Sequence, residues 1–175
     1  MKRRPAVALT ACIVFGGLVF AQKVTYNFDQ GADFSKYKTY KWVEIANTKV
    51  PDALIDKQIK GAIDSQLALK GLTRVESDEA NLLVGYQLGF GTEKQITSYG
   101  GYGYGARWGG MSTATTSTVR IGQLVLDMYD PAMKQVVWRG MGVKEVDETA
   151  KPDKRTKNLA KGVGKMLKNY PPKKS

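Results

Sequence analysis

Catalysis in this chain would have to rest on carboxylates. Asp127 and Asp130 flank one turn, and Glu145, Asp147 and Glu148 cluster some fifteen residues later. Two acids held a few Å apart, one protonated and one ionised, can cleave a glycoside. In the plainer reading Asp130 starts the turn and the other acids solvate strand ends. The sequence brings no two of them into one cleft, so no catalytic residue is assigned. Other chemistries are excluded by composition. The 175 residues contain no histidine and one cysteine, Cys12. That removes Ser-His-Asp and Cys-His triads, the usual His/Cys zinc sites and thiol redox chemistry. No metal or cofactor is expected.

Three further features suggest binding rather than reaction. Gly101, Gly103 and Gly105 lack the G-x-G-x-x-G spacing of a phosphate-cradling loop, and a Ser/Thr-rich run follows them. Among these glycines stand Tyr99, Tyr102, Tyr104, Arg107 and Trp108, which cannot all be buried. Such rings suit contact with a partner, a sugar or a lipid interface, and a self-packed loop is the alternative. The third feature is charge. Of the formal +11, Lys2, Arg3 and Arg4 carry three. The remaining eight equal the excess of nine Lys/Arg over Asp153 in residues 151–175. A basic segment of this kind is attracted to anionic lipid or polymer surfaces. It is also what a solvated helix face looks like, and nucleic acid, the usual partner of a basic patch, is disfavoured by residues 1–21, whose basic start and apolar run read as an export signal.

The elements that must position these residues read clearly. Residues 24–28 and 39–43 alternate apolar and polar as strands do, and their proximity predicts a strand pair. Ile55, Ile59, Ala62, Ile63 and Leu67 fall on one face of a helix over residues 52–70, stopped by Gly71. Leu82, Val84, Tyr86, Leu88 and Phe90 share one face of a strand. The Gly/aromatic and Ser/Thr-rich segment, 98–118, reads as a long loop or hairpin tip. Asp130-Pro131-Ala132-Met133 is a turn between strands over 119–129 and 135–146. Leu159, Val163, Met166, Leu167 and Tyr170 mark a last helix over 153–170, ended by Pro171-Pro172. This order predicts an α+β fold: an antiparallel sheet of about five or six strands covered on one face by two helices.

Residues 1–21 read as a secretory signal, with Lys2-Arg3-Arg4 followed by an apolar stretch over 6–20 and Val19-Phe20-Ala21 as the cleavage site. The mature chain would begin at Gln22, as one domain over 22–172 with a basic tail at 173–175. Leu9-Thr10-Ala11-Cys12 also matches a lipobox, so an outer-membrane lipoprotein anchored at Cys12 is the alternative to a periplasmic protein.

Several stretches together resemble one family. They are Tyr26-Asn27-Phe28-Asp29, Phe34-Ser35-Lys36-Tyr37-Lys38-Thr39-Tyr40-Lys41-Trp42, Leu69-Lys70-Gly71-Leu72, Ala80-Asn81-Leu82-Leu83-Val84, Gly122-Gln123-Leu124-Val125-Leu126-Asp127-Met128-Tyr129-Asp130, Val136-Val137-Trp138-Arg139-Gly140 and Lys165-Met166-Leu167-Lys168-Asn169-Tyr170-Pro171-Pro172. In this order they resemble DUF4136, a family of bacterial exported, lipoprotein-like proteins. The resemblance implies an α+β domain and an envelope location, and it supplies no catalytic residue. The reading that follows is a non-enzymatic envelope module that binds or supports an unknown envelope component. A carboxylate-dependent hydrolase of an envelope glycan and a weak electrostatic binder of anionic surfaces are the alternatives.

Overall fold

The computed structural model describes residues 23–46, 48, 51–99, 113–147 and 149–173. Among these residues six strands and two helices follow one another as β1 (Lys23–Phe28), β2 (Thr39–Trp42), α1 (Ala53–Leu69), β3 (Thr73–Arg74), β4 (Leu82–Tyr99), β5 (Thr113–Asp130), β6 (Gln135–Glu145) and α2 (Pro152–Met166). The strands form one sheet in the order β1-β6-β5-β4-β2-β3. It is mostly antiparallel, with β2 running parallel to both β3 and β4.

Alternation decides which side chains meet the helices. Leu82, Val84, Tyr86 and Leu88 lie beside Leu124, Leu126 and Met128, and beyond them stand Trp138, Gly140 and Gly142 of β6. This face packs against Ile59, Ile63 and Leu67 of α1 and Val163 and Met166 of α2 in one core. Asp52 caps α1 by accepting a hydrogen bond from the Leu54 N–H at 2.9 Å, and Gly71 at φ +83° turns the chain out of it. Pro152 opens α2, where its missing N–H costs nothing. The opposite sheet face, with Leu83, Val125, Met141 and Val143 half-buried, carries no helix among the described residues.

The α+β architecture with two helices on one face is as the sequence predicts. Three expectations need correction. The first two strands do not pair. β1 lies antiparallel on β6, with Phe28 opposite Trp138, while β2 sits across the sheet beside β4. Alternation identifies a strand but not its partner, and here a 3-10 turn at Phe34–Lys36 carries the chain from one side of the sheet to the other. The segment expected as a long loop or hairpin tip over 98–118 is strand at both ends, over residues 98–99 and 113–118. β4 and β5 stay paired out to Tyr99 opposite Thr113, because a Thr-rich run suits extended backbone. Residues 100–112 lie outside the described residues. Finally, α2 ends at Met166 rather than at Tyr170. Tyr170 still packs in the core, edge-on to Phe34 and Trp138 at 5.8 and 5.7 Å.

Candidate functional site

Two aspartates of α1 anchor that helix to the sheet. The Tyr86 hydroxyl donates to Asp56 at 2.6 Å, and Lys60 pairs with the same carboxylate at 2.9 Å. Eight residues on, Asp64 accepts from the Tyr40 hydroxyl at 2.6 Å and from the Trp42 indole N–H at 2.8 Å. The rings of Tyr40, Trp42 and Tyr86 meet edge to face between these anchors. So α1 is fixed over β2 and β4, while α2 packs over β6 and β1. The helices approach each other in their C-terminal halves, where Gly164 faces Gln66 and the Lys70 ammonium donates to the Lys168 carbonyl at 3.2 Å.

Their N-terminal halves part and leave an open groove of about 860 Å³. That lies within the range of about 300–1,000 Å³ typical of small-ligand sites. The floor consists of two cross-strand rows. The inner row is Leu88, Leu124 and Gly142, and the outer row is Phe90, Gly122 and Lys144. Floor glycines keep it deep: a Cβ on Gly122 would stand 3.0 Å from Val146 Cγ2, and one on Gly142 would stand 3.1 Å from Met166 Cε. Leu159, Val163 and Met166 form the α2 wall. Leu54, Ile55 and Phe90 are exposed apolar side chains at the mouth. A second hollow, beside Phe28, Phe34 and Pro172, is about 280 Å³.

Lys144 is the one lysine in the groove floor. It is half-buried, and among the described residues no hydrogen bond or salt bridge engages its ammonium. Burial first, then the nearby Lys154, Lys161 and Lys165, lower its ammonium below the ordinary lysine range, with Asp147 acting the other way. Of the three acids in the groove lining, Asp52, Glu145 and Asp147, the first and last are already engaged. Asp52 caps α1, and Asp147 accepts from the Thr149 hydroxyl at 2.7 Å and pairs with Lys154 at 3.1 Å.

The carboxylates that suggested acid/base chemistry are not brought together. Asp127 forms a two-bond pair with Arg139, at 2.5 and 2.8 Å. Glu145 lies opposite Ile121, six residues along β5 from Asp127. At strand spacing that is roughly 20 Å, far beyond the limit of about 9.5 Å for a glycosidase pair. Asp130 is buried and holds its turn together, accepting from the Ala132 and Met133 N–H groups at 2.8 and 3.0 Å. Glu148 lies outside the described residues, as do Cys12, Tyr102, Tyr104, Arg107 and Trp108. Tyr99 ends β4, at the far end of the β4–β5 ribbon. Among the described residues no three His, Cys, Asp or Glu side chains gather to hold a metal ion, and no helix is long and apolar enough to cross a membrane.

Sequence reasoning missed the groove. One signal was present. In the alternation Trp138, Gly140, Gly142, Lys144, a charged residue occupies an inward position.

The fold has solved relatives. A PDZ domain protein from Parabacteroides distasonis ATCC 8503 is 18% identical with a TM-score of 0.54. The match covers 88% of this chain and 36% of the other, so this chain spans about a third of that protein's length. The PelC dodecamer from Paraburkholderia phytofirmans is 12% identical with a TM-score of 0.50, over 84% of this chain and 95% of that one. At these identities the likeness is one of fold. No curated protein matches the chain. The sequence does match a family described as Domain of unknown function over residues 24–172, from the second residue of β1 to the prolines after α2, and the chain therefore belongs to the DUF4136 family.

Proposed function

We propose that this is an exported envelope protein whose single domain is a non-enzymatic binding module, and that its binding site is the groove between α1 and α2. The groove carries this reading. It is large, apolar at the mouth and along the inner row of the floor, and held open by anchors on α1 and glycines in the sheet. Export rests on the character of residues 1–21, with a periplasmic protein beginning at Gln22 as the expected form and a Cys12-anchored lipoprotein as the alternative.

The test is titration of the purified protein with Nile red, an uncharged dye that brightens in apolar surroundings. Binding should be saturable. Phe90→Asp, at an exposed position on the mouth, should weaken it at least fivefold while leaving the thermal melt unchanged. No saturable binding, or equal binding by the variant, would remove the groove as the site.

A second contact is favoured by one observation. β6 leaves β5 at Ile121, and β2 borders β4 only from Leu82 to Val84. Seven further β4–β5 pairs, from Glu93 opposite Val119 to Tyr99 opposite Thr113, therefore form a two-stranded ribbon. At strand spacing it reaches roughly 20–25 Å. Such an arm would carry Tyr99, Tyr102, Tyr104, Arg107 and Trp108 toward an envelope partner.

A further inference from the structure

The groove has a polarity that narrows what it can hold. Its inner row, Leu88, Leu124 and Gly142, is entirely apolar, and Leu159 and Met166 stand over it. Its outer row, two residues nearer the mouth, places Lys144 beside Gly122 and Phe90. Outside the lining, α2 repeats the charge. Lys154, Lys161 and Lys165 follow one another at helical spacing along one stripe of α2, and all three act on Lys144. The acids of the lining do not pair with Lys144: Asp52 is spent on its cap and Asp147 on Thr149 and Lys154, and Glu145, its neighbour along β6, makes no hydrogen bond or ion pair with it among the described residues. An ammonium half-withdrawn from water among three others gains most from an anion that hydrogen-bonds it.

We infer that the groove takes a single-chain anionic amphiphile, with its hydrocarbon chain along Leu88, Leu124, Leu159 and Met166 and its carboxylate or phosphate head on Lys144. The inference rests on the groove reading above and names its ligand class. Charge complementarity at one end and an apolar floor at the other exclude the simpler occupants. An uncharged hydrocarbon leaves Lys144 unpaired, and a free anion leaves the inner row wet. The basic character of α2 then has a local use, as the rim of one site rather than as a diffuse attraction to surfaces.

The experiment is competition against bound Nile red by dodecanoate and by dodecanol, both as monomers, on the wild-type protein and on Lys144→Met. Methionine keeps the length of the side chain without its charge and suits a half-buried position. Dodecanoate should displace the dye at a concentration at least tenfold below that of dodecanol. In Lys144→Met the gap should close, through weaker displacement by dodecanoate and unchanged displacement by dodecanol. Equal potency on the wild type would overturn the anionic head and leave the apolar groove standing. A gap that persists in Lys144→Met would overturn the role of Lys144 and move the charge preference to the outer lysines of α2. Displacement by neither compound, with Nile red bound, would overturn the amphiphile altogether. Absence of dye binding would instead remove the groove reading on which the inference stands.

Discussion

At the scale of single residues, Asp130 shows how a buried charge is tolerated. It is 2% exposed and accepts four hydrogen bonds: two from its own turn, one from the Tyr37 hydroxyl and one from the Lys36 ammonium, each of the last two at 2.8 Å. Burial alone would raise its pKa. The Lys36 ammonium, the two backbone N–H groups and the Tyr37 hydroxyl outweigh burial and hold it down at about 2. A carboxyl depressed from its ordinary value near 3.8 stabilises the fold at pH values above that figure. The contribution, about 2 kcal/mol, is lost as pH falls toward 2. Other paired carboxylates, Asp56 among them, add to acid sensitivity, so the comparison must be differential. Asp130→Asn should be less stable than wild type at pH 7 by roughly 1–3 kcal/mol, and the gap in urea midpoints should narrow between pH 4.5 and 2.5. A constant gap across that range would show that Asp130 titrates normally. The turn role of Asp130 was legible from Asp-Pro, a local signal. Its bond to Tyr37, 93 residues away, was not, because no local pattern encodes a tertiary partner.

At the scale of elements, periodicity revealed nearly every helix and strand, and missed what joins them. The apolar stripe of α1 was legible, but Asp56 and Asp64 read as residues off that stripe. They turn out to face the sheet because tyrosine and tryptophan below them offer donors at their tips. Removing one such donor tests the anchoring. Tyr86→Phe should cost about 1 kcal/mol in urea unfolding and weaken Nile red binding, since Asp56 sits in the half of α1 that walls the groove. An unchanged affinity would mean that the helix holds its place without this bond. Gly140 tests the other side of the core. A Cβ there would overlap the Trp138 ring and come within 2.6 Å of Met166 Cγ. Gly140→Ala should therefore destabilise the protein by about 1–3 kcal/mol or more. A wild-type urea midpoint would show that Trp138 repacks at no cost. Here the sequence reading had only a glycine in an alternating strand, which marks close approach without saying of what.

At the scale of the whole molecule, the candidate site depends on an angle. Neither helix predicts the groove; it exists because α1 and α2 meet at Gln66 and Gly164 and separate toward Asp52 and Pro152. A sequence specifies each helix face far more openly than the divergence between two of them, so the inward lysine was the one signal of the site, and it went unread. The β4–β5 ribbon raises the opposite question, since strand runs into the segment over 98–118 that was expected as a long loop or hairpin tip. Two strands alone are marginally stable in water and need a sheet or a partner beside them. Among the described residues no third strand borders the outer seven pairs of the ribbon, so the core should not depend on it. Replacing residues 94–118 by an Asn-Gly turn, which suits a two-residue hairpin, should leave the free energy of urea unfolding within about 1 kcal/mol of wild type and Nile red affinity unchanged, because Leu88, Phe90, Gly122 and Lys144 all remain. Retention of the truncated protein in the envelope fraction should fall. If stability fell with it, the ribbon would be part of the folding unit and its extension would need no partner. If stability, dye binding and retention all stayed at wild-type levels, the arm would be dispensable to both core and partner, and the groove alone would hold the protein to its place.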